Sequence, residues 1–547
     1  MSAPTPELLA RLFPTPSSPP RDGPMRVFGV STQSTETLVN LLKDNHKKFH
    51  VFFNHRGFHN HNAHHMLAVY ALGGTGKVIE AAYERTSRIQ RPAYVSTITI
   101  TDSNYFEHLG KEDNYNAFLK YFSYMFAEKE DLDMGEEVEN FIFSEKYNFD
   151  RARKGGDQPQ PQMLNRFLAG LLHPIIHTGY GVEFGLRGTL AEGLAQVSVH
   201  RVEAPKLIPE SFFDFSEPGS TGAVSYLTSM LPRLSLRQPS ATADSAATGD
   251  SGHLFAILAR MLKDPRLDVE NLKFSNNDLG DHYHDVVAQV GDVISEHTAQ
   301  WDLRLTGDAT QDAAILNAKV EEMYWTQILI YGIGGFTAEG FLADFVYMHL
   351  VTSALFLPSF LAVLKKPASK TTLLRSYMSI SLAWWVSCGR PGFAISKFYE
   401  GTGGANPDNA AQSPIPGPQP VPNEKALKFG DKPCLLPNPW YSILQTALTY
   451  PNDHVCKLQR SLVHADSLYS SRPAGHFKHL KALPEFDGAG VGPGGLRQGF
   501  EGIEKLDGSL FVRVARLTMD RMGWMREGQD EKRWDFVGES LTGGIAA

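Results

Sequence analysis

Apolar positions recur every three to four residues along most of the chain, and strict two-residue alternation is scarce. TETLVNLL, YNAFLKYFSYMFAEK, LNRFLAGLL, AEGLAQVSV, DVVAQVGDVISEHTAQW, DAAILNAKVEEMYWTQILIYG and TLLRSYMSISLAWWVSC all carry this helical period. Residues 34–50 predict an amphipathic helix, and 61–72 a more apolar one that stops at Gly73-Gly74, a C-terminal helix signal. YVSTITITD is the clearest β-like run. The pattern therefore predicts a mainly α protein. Three stretches break it: a small, polar one at 237–252, a Gly/Pro-rich one at 401–437, and a glycine run near 488–498. They read as surface insertions in a single large helical domain over 25–537, because candidate site residues lie on both sides of the first. A Pro-rich arm, expected to be extended, occupies 1–24, and 538–547 form a tail.

Phe345 to Leu364 is uncharged and near the ~20 residues that a bilayer helix needs. It carries His349 internally and Pro358 near its end, so a buried core helix is the better expectation, with no membrane partner. The formal charge of −8 supplies no basic footprint for nucleic acid. Cys388, Cys434 and Cys456 form neither a disulfide framework nor a metal-ligand spacing. The first residues lack the layout of a secretory signal, and the expected location is cytoplasmic.

Gly490-Val-Gly492-Pro-Gly-Gly495 satisfies G-x-G-x-x-G literally, but no buried strand precedes it and Pro493 removes a donor, so a loop is expected. Gly73-Gly-Thr-Gly76-Lys77 lacks the first glycine and the hydroxyl residue of a P-loop. There is no flavin, nicotinamide or hydrolase signature.

Histidine carries the chemistry. FHNHNAHHMLAVYAL sets His59, His61, His64 and His65 at the mouth of an apolar helix, with Asn60 as a plausible cap. LLHPIIHTGYGVEF holds His173 and His177 at i,i+4, with Pro174 suited to a first helical turn; two imidazoles so spaced can share a metal or a substrate. His349 stands alone in FVYMHLVTSALFL. An unpartnered imidazole loses its water hydrogen bonds on burial, so three such intrusions predict one site where several histidines meet. His282 and His284 in DHYHD read as a solvated face, and His454 as part of a helix start with Asp453.

Taken together, FHNHxxHH, HPxIHxGYGVEF, MHLVTSALF, PNDHxxKLxRxL and DGSLFVRVARLTMDRMGW…WDF resemble the fungal questin oxidase-like family over about residues 25 to 537. The resemblance implies a mainly helical fold and oxygen-dependent cleavage of anthraquinone rings, including Baeyer–Villiger-type oxygen insertion, in aromatic polyketide biosynthesis. One branch of the family is described as a non-haem iron dioxygenase using four histidines and a carboxylated lysine; the histidines carry over to His61, His173, His177 and His349. The other branch uses no cofactor and lets the substrate react with oxygen itself. The family pattern puts lysine where this sequence has Tyr377.

Triplet oxygen needs a one-electron donor. With no flavin motif, the expected donor is the substrate anion of a reduced anthraquinone, formed when one or two of His61, His173, His177 and His349 take its phenolic proton. Tyr377 is expected to steady the developing oxyanion, and Phe58, His65, Tyr180, Phe184, Trp384 and Trp385 to hold the flat substrate. The alternatives are an iron site on the four histidines and a non-catalytic polyketide-binding protein. A separate reductase could supply the hydroquinone.

Overall fold

The computed structural model describes residues 4–20, 23–153, 159–213, 250–275, 278–404, 414–487, 490–491 and 497–536. These residues form a mainly α protein whose strands are all two residues long. The helices used below are α1 (Pro6–Leu12), α2 (Thr32–Lys48), α3 (Asn62–Ala71), α4 (Gly76–Ser87), α5 (Tyr115–Glu128), α6 (Ala169–Phe184), α7 (Arg187–Val199), α8 (Leu279–Thr298), α9 (Ala309–Ile328), α10 (Phe345–Ala354), α11 (Leu357–Val363), α12 (Pro367–Ser387), α13 (Asp453–Tyr469) and α14 (Leu510–Met522).

Helix starts follow the local chemistry. Ser31 and Ser34 close a capping box on α2, and the Asp344 carboxylate accepts the Tyr347 N–H at the head of α10. Asn452 caps α13 through the His454 N–H. At α3 the Asn60 side chain accepts the Asn62 N–H, but the N-cap position falls on His61, so Asn60, the expected cap, stands one residue before it and His61 sits at the helix mouth.

Four helices bring the histidine segments together. α6 packs on α7 and α10, and α13 packs on α3, α10 and α14. The α6–α7 crossing is close because Gly181 and Gly193 lack side chains. A Cβ at Gly181 would stand 2.6 Å from the Leu190 nitrogen, and one at Gly193 2.4 Å from Thr178 Oγ1.

Several expectations need correction. The arm is not simply extended: α1 forms in it, capped by Thr5, and buries Leu9 and Leu12, packing on α5 and α7. YVSTITITD forms no strand, since no neighbouring segment pairs with it as a ladder. LNRFLAGLL is not one helix. A short helix ends at Phe167, and Gly170, Leu171 and Leu172 then take left-handed backbone (φ 54, 50 and 65°) before regular helix resumes around Pro174. The apolar 345–364 stretch is two helices, α10 and α11, inside the core, with 83% of its most apolar window buried. Near the glycine run, Gly490–Val491 pairs antiparallel with Arg497–Gln498, a hairpin rather than the strand-to-helix turn of a dinucleotide site. The 237–252 insertion lies almost wholly outside the described residues, whereas 401–437 is described except for 405–413 and carries a short hairpin at Lys428–Phe429 and Lys432–Pro433.

Candidate active site

His61 (entering α3), His173 (α6), His349 (α10) and His454 (α13) converge. The rings of His61 and His173 lie 4.9 Å apart and nearly parallel, His349 is 4.9 Å from His173, and His454 is 4.7 Å from His61 and 5.1 Å from His349. In each ring Nδ1 faces an acceptor: Asp453 Oδ2 at 3.1 Å for His61, the Gly170 carbonyl at 2.7 Å for His173, the Phe345 carbonyl at 2.7 Å for His349, and Asn452 Oδ1 at 3.1 Å for His454. Acceptors at Nδ1 favour the tautomer with the proton there, in which Nε2 offers a lone pair.

The Nε2 atoms of His61 and His173 are 2.9 Å apart, while those of His349 and His454 have no hydrogen-bond partner. One ring can donate to the other at that distance, but with both protons on Nδ1 the two lone pairs repel unless a cation lies between them. Ligand nitrogens about 2.1 Å from a metal and at right angles to one another would stand about 3 Å apart. The nitrogens of His61, His173 and His454 all lie within 4.8 Å of one another. Carbonyl or carboxylate bonds at the far nitrogen are also the usual way of orienting metal-bound histidine. The donor set therefore fits a divalent transition metal.

Electrostatics agree with neutral ligands. Burial holds His61, His173, His349 and His454 below the ordinary imidazole value, with the Lys457 ammonium adding to it, and His349 is brought down to about 3. Burial works to raise Asp453, but His454, Lys457 and His61 hold it well below the usual carboxylate range. Its Oδ2 lies between His61 Nδ1 and Lys457 Nζ, the latter 2.7 Å away one turn along α13.

His177 does not join this nest. Its Nε2 donates to Glu192 Oε2 at 2.9 Å and its Nδ1 faces His64 Nε2 at 3.0 Å, so neither nitrogen is free for a shared ligand. Glu192 also binds His46 Nδ1 at 2.7 Å; although burial opposes it, these two bonds bring its carboxyl down to about 2. The fourth position that the sequence reading gave to His177 is taken in space by His454. A buried lysine does stand beside the nest, Lys457, with its Nζ 2.7 Å from Asp453 Oδ2. The Tyr377 hydroxyl donates to the Leu350 carbonyl at 2.7 Å and meets Ser353 Oγ, which donates to the His349 carbonyl, so it braces α10 from behind and does not reach a reacting group.

A cavity of about 1010 Å³ opens onto the nest, lined by His59, His61, His173 and His454 at its floor. Of the aromatic candidates, Phe58 (44% exposed) and Trp384 line it, Trp384 stacked at 4.1 Å on Tyr283. Tyr180, Phe184, Trp385 and His65 are buried elsewhere: Tyr180 against Phe356, Phe184 beneath the Arg26 guanidinium, and Trp385 on Phe393. The sequence reading missed Asp453, Lys457, His59, Tyr283, Phe345 and Phe536 as parts of the site. The signal for the first two was present in PNDHxxKLxRxL, where aspartate and lysine at i,i+4 share a helix face with His454 beside them.

Residues 58–462 match the questin oxidase-like family. The chain belongs to that family. Among its curated relatives, a Baeyer–Villiger monooxygenase of Aspergillus aculeatus is 27% identical over 378 residues, covering 66% of this chain and 70% of the relative. An oxidoreductase of Aspergillus parasiticus is 24% identical over 95% of this chain and 87% of the relative, and the questin oxidase of Aspergillus terreus is 24% identical over 68% and 73%.

Proposed function

We propose that this member of the questin oxidase-like family catalyses oxygen-dependent ring cleavage of a reduced, polyhydroxylated anthraquinone-type polyketide, by Baeyer–Villiger-type oxygen insertion, with its histidine nest holding a ferrous ion. The observation that carries this reading is the convergence of His61, His173 and His454 on the cleft, their ligand nitrogens all within 4.8 Å of one another, with the His349 ring packed behind them against His173 and His454. The names of the relatives support the reaction class.

The nest favours ligation over base chemistry. A phenol of ordinary pKa about 10 gives up its proton poorly to imidazoles that burial holds this far down. His61, His173, His349 and His454 would hold the ion, which supplies the one-electron chemistry that triplet oxygen requires. Asp453 fixes the His61 tautomer, and Lys457 is the lysine of the nest. Phe58 and Trp384 flank the cleft and orient a flat ring toward the floor. The balance is hydroquinone plus oxygen giving lactone plus water, so the substrate supplies both reducing equivalents.

The test supplies a polyhydroxyanthraquinone, reduced in situ, and follows oxygen uptake and product mass. The expected product is one oxygen heavier than the parent quinone, and His173→Ala and His349→Ala should abolish its formation with helical circular dichroism retained. Unchanged turnover in both variants overturns the site. Full turnover by metal-stripped protein would instead leave the substrate anion as the electron donor.

A further inference from the structure

If the nest binds metal, another group has to take the phenolic proton; this inference rests on the reaction proposed above. Four carboxylates line the cleft: Glu203, Asp278, Asp453 and Glu531. Asp453 is committed to His61 and Lys457, while Asp278 and Glu531 sit at the rim, each 3.9 Å from an arginine (Arg56 and Arg85).

Glu203 differs. Its main chain is pinned where the Glu203 and Ala204 N–H groups donate to Asn165 Oδ1 at 2.9 and 3.1 Å. Its Oε2 accepts the Gly170 N–H at 2.9 Å, and Oε1 accepts no bond among the described residues. The carbonyl of the same residue, Gly170, accepts His173 Nδ1–H, so the carboxyl stands one residue's backbone away from the nest. Beside it in the cleft wall are Tyr283, stacked on Trp384, and His284, which is exposed at the edge.

We propose that Glu203 is the general base of the cleft: its Oε1 takes the phenolic proton of the bound hydroquinone, and His284 passes that proton to solvent. The substrate O–H bond breaks with its electron pair left on the phenolate oxygen, a Glu203 O–H bond forms, and the proton then moves through the imidazole to water. The charged and titratable groups facing Glu203 are His284 and Tyr283 from α8 and Arg201 from its own segment. Burial raises its carboxyl above the ordinary value against the Gly170 bond and the attraction of His284 and Arg201. That displacement is toward the working pH, as a base requires.

Glu203→Gln is the decisive variant, because the amide oxygen can still accept the Gly170 N–H and hold the backbone behind His173. Oxygen uptake with the reduced anthraquinone is measured across pH, together with iron content. The expected result is a kcat lower by about 10²–10⁴-fold, an unchanged KM, wild-type iron content, and loss of the acid limb of the kcat profile. Wild-type kcat and pH profile in this variant overturn the proposal, as does a loss of kcat accompanied by loss of iron, which would make Glu203 a brace for His173. No turnover by the wild type overturns the reaction itself, whereas wild-type turnover matched by Glu203→Gln overturns this inference alone.

Discussion

At the scale of single residues, a histidine that could share a ligand is told from a tethered one by its second nitrogen. His173 and His177 share a helix face and an apolar setting, but one Nδ1 ends on a carbonyl while both nitrogens of the other are consumed. Asp453→Asn tests this distinction. It keeps size and weakens the charge that orients His61, so iron affinity should fall about 10–100-fold with the fold retained; equal affinity by metal titration would exclude Asp453 as the orienting group. Tyr377→Phe removes one bond to the Leu350 carbonyl and should cost about 1–2 kcal/mol in urea unfolding, with turnover per folded molecule unchanged. A variant that folds normally but is inactive would restore Tyr377 to the chemistry. The positions of His61, His173 and His349 were legible because imidazole is costly in an apolar helix. That His454 rather than His177 completes the set was not, since it depends on Glu192, which lies on a different helix.

At the scale of elements, the segment that delivers His173 is strained. Leu171 and Leu172 occupy left-handed backbone, a conformation that costs a non-glycine residue of order 1–3 kcal/mol and concentrates at functional sites. Their side chains could not have signalled it, and the leucine-rich pattern read as helix. Gly170 is where the turn admits no side chain: its φ is +54° and a Cβ would stand 2.3 Å from His200 Cε1. Gly170→Ala should therefore displace the carbonyl that holds His173 and the N–H that holds Glu203. The expected outcome is a protein destabilised by about 2 kcal/mol or more, with iron content and turnover both reduced. Retention of iron at wild-type occupancy would show that the turn is not what seats His173. The helices themselves were legible from apolar period, because packing faces repeat at 3.6 residues; the α6–α7 crossing was not, because a glycine in AEGLAQVSV gives no hint of its partner.

At the scale of the whole molecule, the number of buried imidazoles sets how stability responds to pH. Beyond the nest, burial brings His50, His200 and His464 down to about 3, with Arg91, Arg166 and Arg460 respectively adding to the effect. In the unfolded chain each takes a proton near pH 6.5, while the folded form refuses it until about pH 3, so below 6.5 the unfolded state binds more protons. Stability then falls as pH falls, by about 1.4 kcal/mol per unit for each such group. Three of them withdraw about 3 kcal/mol over the first full unit below 6.5, a large part of the 5–15 kcal/mol typical of folded proteins. Glu192, held at about 2, adds a further loss between its ordinary value of about 4.5 and 2. The urea midpoint should accordingly be flat above about pH 7 and drop steeply below about 6.5, and replacing His464 with an apolar residue of similar volume should shallow that slope. A midpoint constant from about pH 7.5 to 5 would mean that these rings are protonated in the folded protein. The neutral-imidazole argument for the metal nest would then lose its electrostatic basis along with them.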